Sequence, residues 1–132
     1  MKRRTLTQLG ETELEVLQHV WAFGEASVAE VHEKILETRK VAYTTIMTVM
    51  RKLAEKGYLT FKKEGMSYRY APAQSQEHVQ QHLLDDFLNT VFQGSPARLV
   101  QTLVAGQQLT EAQQSELRKL IDGLEDDDAD NA

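Results

Sequence analysis

The residues of this chain whose types and spacing suit chemistry lie between positions 44 and 69. The stretch AYTTIMTVMRKLAEKG, residues 42–57, reads as a helix, because Ile46, Val49, Met50 and Leu53 recur at three- and four-residue intervals. On a helical wheel the opposite face carries Thr44, Thr48 and Arg51, with Met47 on one flank and Thr45 and Lys52 on the other. Threonine is a mediocre helix former, so its clustering here does not serve helix stability. Short hydroxyls, one guanidinium and one apolar side chain match what a DNA major groove displays: base-edge donors and acceptors, guanine O6 and N7, and the thymine methyl. Thr45 and Lys52, at the edges, suit phosphate oxygens, which fix position without reading sequence. The competing reading is an ordinary solvated helix face.

After Gly57 the period changes to two. Residues 58–63 and 67–70 alternate around Glu64, Gly65 and Met66, the pattern of a β-hairpin. Lys62, Lys63 and Arg69 flank its tip, where positive charge gains from counterion release on phosphates or in a minor groove. Lysine also protects an edge strand from aggregation, and the two roles are compatible. Tyr68 and Tyr70 share one strand face and read as core packing rather than base stacking.

Other chemistry is thinly represented. His78 and His82 are four residues apart, with Asp85 and Asp86 one turn on, a spacing compatible with a metal ion. All four lie opposite the apolar stripe of 77–92, where solvated residues belong, so they are weak candidates and no metal or other cofactor is expected. His19 and His32 have no evident partner in the sequence. There is no glycine-rich phosphate loop and no G-x-S-x-G elbow, so an enzyme is not expected.

The elements that must position these residues follow from periodicity and caps. ETELEVLQHVWAF sets Leu14, Leu17, Val20 and Trp21 on one face, and Gly24 ends it. Ser27 with Glu30 forms a capping box for a second helix with Val28, Val31 and Ile35 inside. Gly57 stops the third helix, 43–56. Three helices and a hairpin predict a winged helix-turn-helix over 1–73. Residues 71–76 read as a linker. Three more helices follow: 77–92, one opened by Ser95 and Pro96, and one opened by Thr110 with Gln113. The fold class is therefore mainly α with a small β-hairpin wing, a helical dimerisation region over 74–124, and an acidic, disordered tail over 125–132. Val79, Leu83, Leu84, Phe87, Leu88 and Val91, with Leu117, Leu120 and Ile121, present more apolar surface than so small a unit covers alone. Pairing with a second copy is the expected solution.

The 132 residues carry a net charge of −5, unevenly spread. Residues 39–69 hold 8 Lys/Arg against 2 Asp/Glu, while residues 76–132 hold 3 against 11. That asymmetry favours nucleic acid as partner of the first half. No apolar run approaches the ~20 residues of a membrane span. No signal-peptide pattern follows the start and there is no cysteine, so a cytoplasmic protein without membrane insertion is expected.

The segments TTIMTVMRKLAEKGYLTFKKEGMSYRYAP, LGETELEVLQHVW and FLNTVFQGSPARLVQTLV together resemble the penicillinase-repressor family of BlaI/MecI-type regulators, over most of the chain. The resemblance implies an N-terminal winged helix, a helical C-terminal dimerisation region and repression at inverted-repeat operators. It places Thr44, Thr45, Thr48 and Arg51 at the family's recognition-helix positions. There are departures: Met66 stands where many members have an arginine at the wing tip. Thr102 and Leu103 stand at the family's cleavable Asn-Phe bond, and the cysteine motif of the copper-responsive branch is missing. The inducing signal, including an unidentified sensor or protease as partner, stays open. The expected function is a sequence-specific repressor acting as a homodimer on double-stranded operator DNA. The alternatives are a winged-helix protein-interaction module or a metal-responsive regulator.

Overall fold

The computed structural model describes residues 9–106 and 109–131, with backbone alone beyond Gly123. Helices α1 (Glu11–Phe23), α2 (Val28–Leu36) and α3 (Tyr43–Glu55) pack around a shared core. Val16, Leu17 and Val20 of α1 meet Val31 and Ile35 of α2 and Ile46, Met50 and Leu53 of α3, all fully buried. Val16 is a core residue that periodicity missed, and Leu14 is only half-buried.

Ser27 and Glu30 form the expected capping box: the Glu30 amide donates to Ser27 Oγ at 3.1 Å, and the Ser27 amide to Glu30 Oε1 at 2.8 Å. Ser27→Ala should therefore cost about 1 kcal/mol of unfolding free energy. Urea denaturation checks this, and a variant as stable as the parent would mean that Glu30 alone holds the start of α2.

Between α2 and α3, His32 gains the partners the sequence did not reveal. Its Nε2–H donates to the Val41 carbonyl at 2.7 Å, and its ring meets Tyr43 edge-on at 5.6 Å. These contacts pin the turn of the helix-turn-helix.

The hairpin pairs β2 (Leu59–Glu64) with β3 (Ser67–Pro72) around a two-residue turn at Gly65 and Met66. Gly65 supplies the positive φ of +64° that this turn needs at its first position. The sheet has a third strand that periodicity could not show: β1 (Ala26–Ser27) pairs with β3, Ala26 opposite Tyr70 and Ser27 opposite Arg69.

Beyond the hairpin run α4 (Gln76–Phe92), α5 (Pro96–Gly106) and α6 (Glu111–Asn131). Ser95 caps α5 and Thr110 with Gln113 opens α6, as read from sequence, while α4 is capped by Ser75, which the sequence reading left in the linker. Two expectations change. Val79 is 2% exposed and joins the winged-helix core, with Leu83 packed half-buried against it, so Val79 leaves the expected dimerisation set. It packs against that core from the first turn of α4. The backbone of the acidic run also continues α6 to Asn131, where composition predicts a disordered tail over 125–132. That run contains neither proline nor glycine to interrupt a helix. Among the described residues, no helix is long and apolar enough to cross a membrane.

Candidate nucleic-acid interface

Helix α3 buries Ile46, Met50 and Leu53 and turns the other side outward. Thr44, Thr45, Met47, Arg51 and Lys52 are exposed, and Thr48 is half-buried between them. The apolar periodicity that builds the core thus fixes which side chains point out. Tyr43 and Met47, 46% and 38% exposed, bring apolar surface to the same face. Tyr43 was not singled out from sequence, where it looked like the first residue of a helix.

The wing adds a second wall. Residues directly opposite in the ladder share a face: Phe61 with Tyr70, Lys63 with Tyr68, and Lys62 with Arg69. Lys62 and Lys63 therefore point to opposite sides. The Tyr70 side turns toward α3, where Tyr70 is buried and its hydroxyl pKa is raised, chiefly by burial. Above it Phe61 meets Tyr68 edge-on at 5.3 Å. Tyr68 is 45% exposed and lines two clefts beside Arg51, of about 360 and 390 Å³. Tyr68 belongs to this surface as much as to the core, which strand alternation alone does not distinguish.

The other wing face is neutralised. Arg69 Nε donates to Glu25 at 2.9 Å and Nη1 to Glu30 at 3.1 Å, and Lys62 Nζ lies 3.9 Å from Glu25. Hydrogen bonding to Glu25 raises the Arg69 pKa first, helped by the charges of Glu30, Glu25 and Glu64. The amide of Ser27, with Arg69 nearby, holds the Glu30 carboxyl below its ordinary range. Arg69, read from sequence with Lys62 and Lys63 as wing charge for phosphates or a minor groove, ties the wing to the start of α2. Arg39 is held likewise by Glu15 at 2.6 Å, and Lys56 by Glu13 at 2.8 Å. Of the eight basic residues in 39–69, Lys40, Arg51, Lys52 and Lys63 have no carboxylate within ion-pair distance among the described residues. Arg51, Lys52 and Lys63 are members of the set chosen from sequence.

His78 and His82 stack at 6.2 Å on the exposed side of α4. Asp85 accepts a hydrogen bond from Gln81, and the described residues contain no group of three potential metal ligands. The apolar side chains Leu84, Val91, Leu120 and Ile121 are exposed in the single chain, while Phe87, Leu88 and Leu117 are half-buried.

The sequence model described as penicillinase repressor matches residues 9–123. The chain belongs to the penicillinase repressor family. Members of that family are repressors rather than enzymes. A similar protein is the transcriptional regulator BlaI of Mycobacterium tuberculosis, 37% identical over 84 residues, which span 63% of this chain and 61% of that one. The chain thus matches about three-fifths of that relative's length. The penicillinase repressor of Bacillus licheniformis is 25% identical over 119 residues, covering 90% of this chain and 93% of its own. The crystal structure of the transcriptional regulator Tm0710 from Thermotoga maritima shares the fold, with a TM-score of 0.51 at 16% identity over 96% of this chain and 80% of that one.

Proposed function

We propose that this chain is a DNA-binding transcriptional repressor that acts as a homodimer on an inverted-repeat operator. The observation that carries the reading is the outward face of α3, where Thr44, Met47, Thr48 and Arg51 stand together and no described carboxylate engages Arg51. In a helix-turn-helix the second helix enters the major groove. Arg51 then takes the O6 and N7 of a guanine, Met47 a thymine methyl, and the threonines further base edges. Thr45 and Lys52 hold phosphates at the rim, and Lys63 holds another from the wing. The names of the relatives, a transcriptional regulator and a penicillinase repressor, support the same role. Dimerisation uses the exposed apolar side of α4 to α6, and such a protein acts in the cytoplasm, where the genome is.

The two wing lysines separate in this reading. Lys63→Ala should lower affinity for all DNA sequences alike and reduce the salt slope by about one unit, because one phosphate contact is lost. Lys62→Ala should change the slope much less, since Glu25 already offsets that charge. Anisotropy titrations at several salt concentrations measure both slopes, and equal effects would place both lysines on phosphate.

Sequencing the genomic fragments that the protein retains tests the function as a whole. Discrete peaks sharing an inverted repeat are expected. Uniform retention along the genome would reject sequence-specific repression.

A further inference from the structure

We infer that residues 73–75 are a rigid joint, with Gln74 as its positioning residue, that locks α4 to the end of the recognition helix and so sets the distance between the two recognition helices of a dimer. The second half of this inference rests on the dimeric reading above; the first half does not.

The chain between wing and α4 is not spanned as linkers usually are, with backbone groups left to water. The Ala73 amide donates to the Tyr58 carbonyl at 2.9 Å. The Gln74 carbonyl accepts from Trp21 Nε1 of α1 at 3.2 Å, and its side-chain Nε2 donates to the Gly57 carbonyl at 3.0 Å. Ser75 then caps α4 through the His78 amide at 3.1 Å, and one turn on Val79 is sealed in the winged-helix core.

The partner of Gln74 matters most. Gly57 is the residue that turns the chain out of α3, and the Tyr58 amide returns to the Leu53 carbonyl at 2.9 Å to close that turn. A continuous set of bonds therefore runs from the last turn of α3, through Gly57 and Gln74, to the cap of α4. Tilting α4 relative to α3 requires breaking it and drawing Val79 out of the core.

In a dimer joined through α4 to α6, such a joint converts subunit geometry into half-site spacing. Adding one base pair between half-sites moves them about 3.4 Å apart and rotates them by about 35°. Two rigid arms follow that change poorly, whereas hinged arms follow it easily. The variants are Gln74→Ala combined with Trp21→Phe, which keeps an aromatic ring against the core, and Gln74→Glu alone, which sets an acceptor against the Gly57 carbonyl.

The experiment measures binding of the full chain to palindromes whose half-sites are spaced by single base-pair steps, and to one isolated half-site. The wild type should lose roughly 100-fold when the spacing leaves its optimum, because simultaneous engagement fails. Both variants should bind the isolated half-site within about twofold of wild type, since the groove-facing residues are untouched, and show a broader optimum with a smaller penalty. A spacing profile identical to wild type would overturn the inference. Residual dipolar couplings on the same proteins keep the two readings apart. If the wild type shows no spacing optimum and binds as a monomer, the dimeric reading fails. The joint then stands or falls on whether α3 and the first two turns of α4 share one alignment, as predicted, or align independently, which would refute it.

Discussion

Replacing Leu84 and Val91 by aspartate is expected to give a monomer that keeps a folded winged helix. The two side chains are seven residues apart, hence on one face of α4, and each is 46% exposed in the single chain. Val100, Leu103 and Val104 of α5 are also exposed, so apolar surface continues beyond α4. This is the surface on which the proposed subunit contact would fall. Charge on it costs the single chain little and costs a dimer the burial of two carboxylates per subunit. With the second half-site contact no longer intramolecular, affinity for an inverted repeat should fall by roughly 100-fold or more. Leu83 would have been a natural target from sequence, but it packs against the winged-helix core, and aspartate there would unfold what must be kept. Sedimentation decides the matter. A dimer persisting at low micromolar concentration would place the subunit contact elsewhere.

Arg51→Ala should weaken binding to the specific site by roughly 1–3 kcal/mol and relax selection at one base pair per half-site. Stability should change little, because Arg51 is exposed on the far side of α3 from Ile46 and Leu53. Non-specific binding should also fall, but less, since only one positive charge is removed. Competition between cognate and scrambled duplexes measures the ratio. An equal loss on both would make Arg51 a phosphate ligand and leave base reading to the threonines and Met47.

Much of this was legible in the sequence because the signals are local. The capping box at Ser27, the stop at Gly57 and the period of two after it depend on residues within a few positions of one another. The face of α3 was legible for the same reason: a helix that buries Ile46, Met50 and Leu53 must expose what lies opposite. Pairings across the fold were not legible. Counting charges in 39–69 treated Arg39, Lys56 and Arg69 as available, yet each is engaged by a glutamate 24 to 44 residues away. The third strand is two residues long and shows no period. Val79 repeats with the apolar stripe of α4, and nothing local tells a residue facing its own core from one facing a second subunit.

The measurement that bears most directly on α3 as the reading element is methylation interference on guanine. N7 of guanine lies in the major groove, and its methylation removes one of the two acceptors that an arginine takes. Wild-type protein should be excluded from duplexes methylated at one particular guanine in each half-site, symmetrically about the centre. Arg51→Ala protein should bind those same duplexes no worse than unmethylated ones. Interference that is absent from the wild type, or unchanged by Arg51→Ala, would contradict major-groove reading by this helix face.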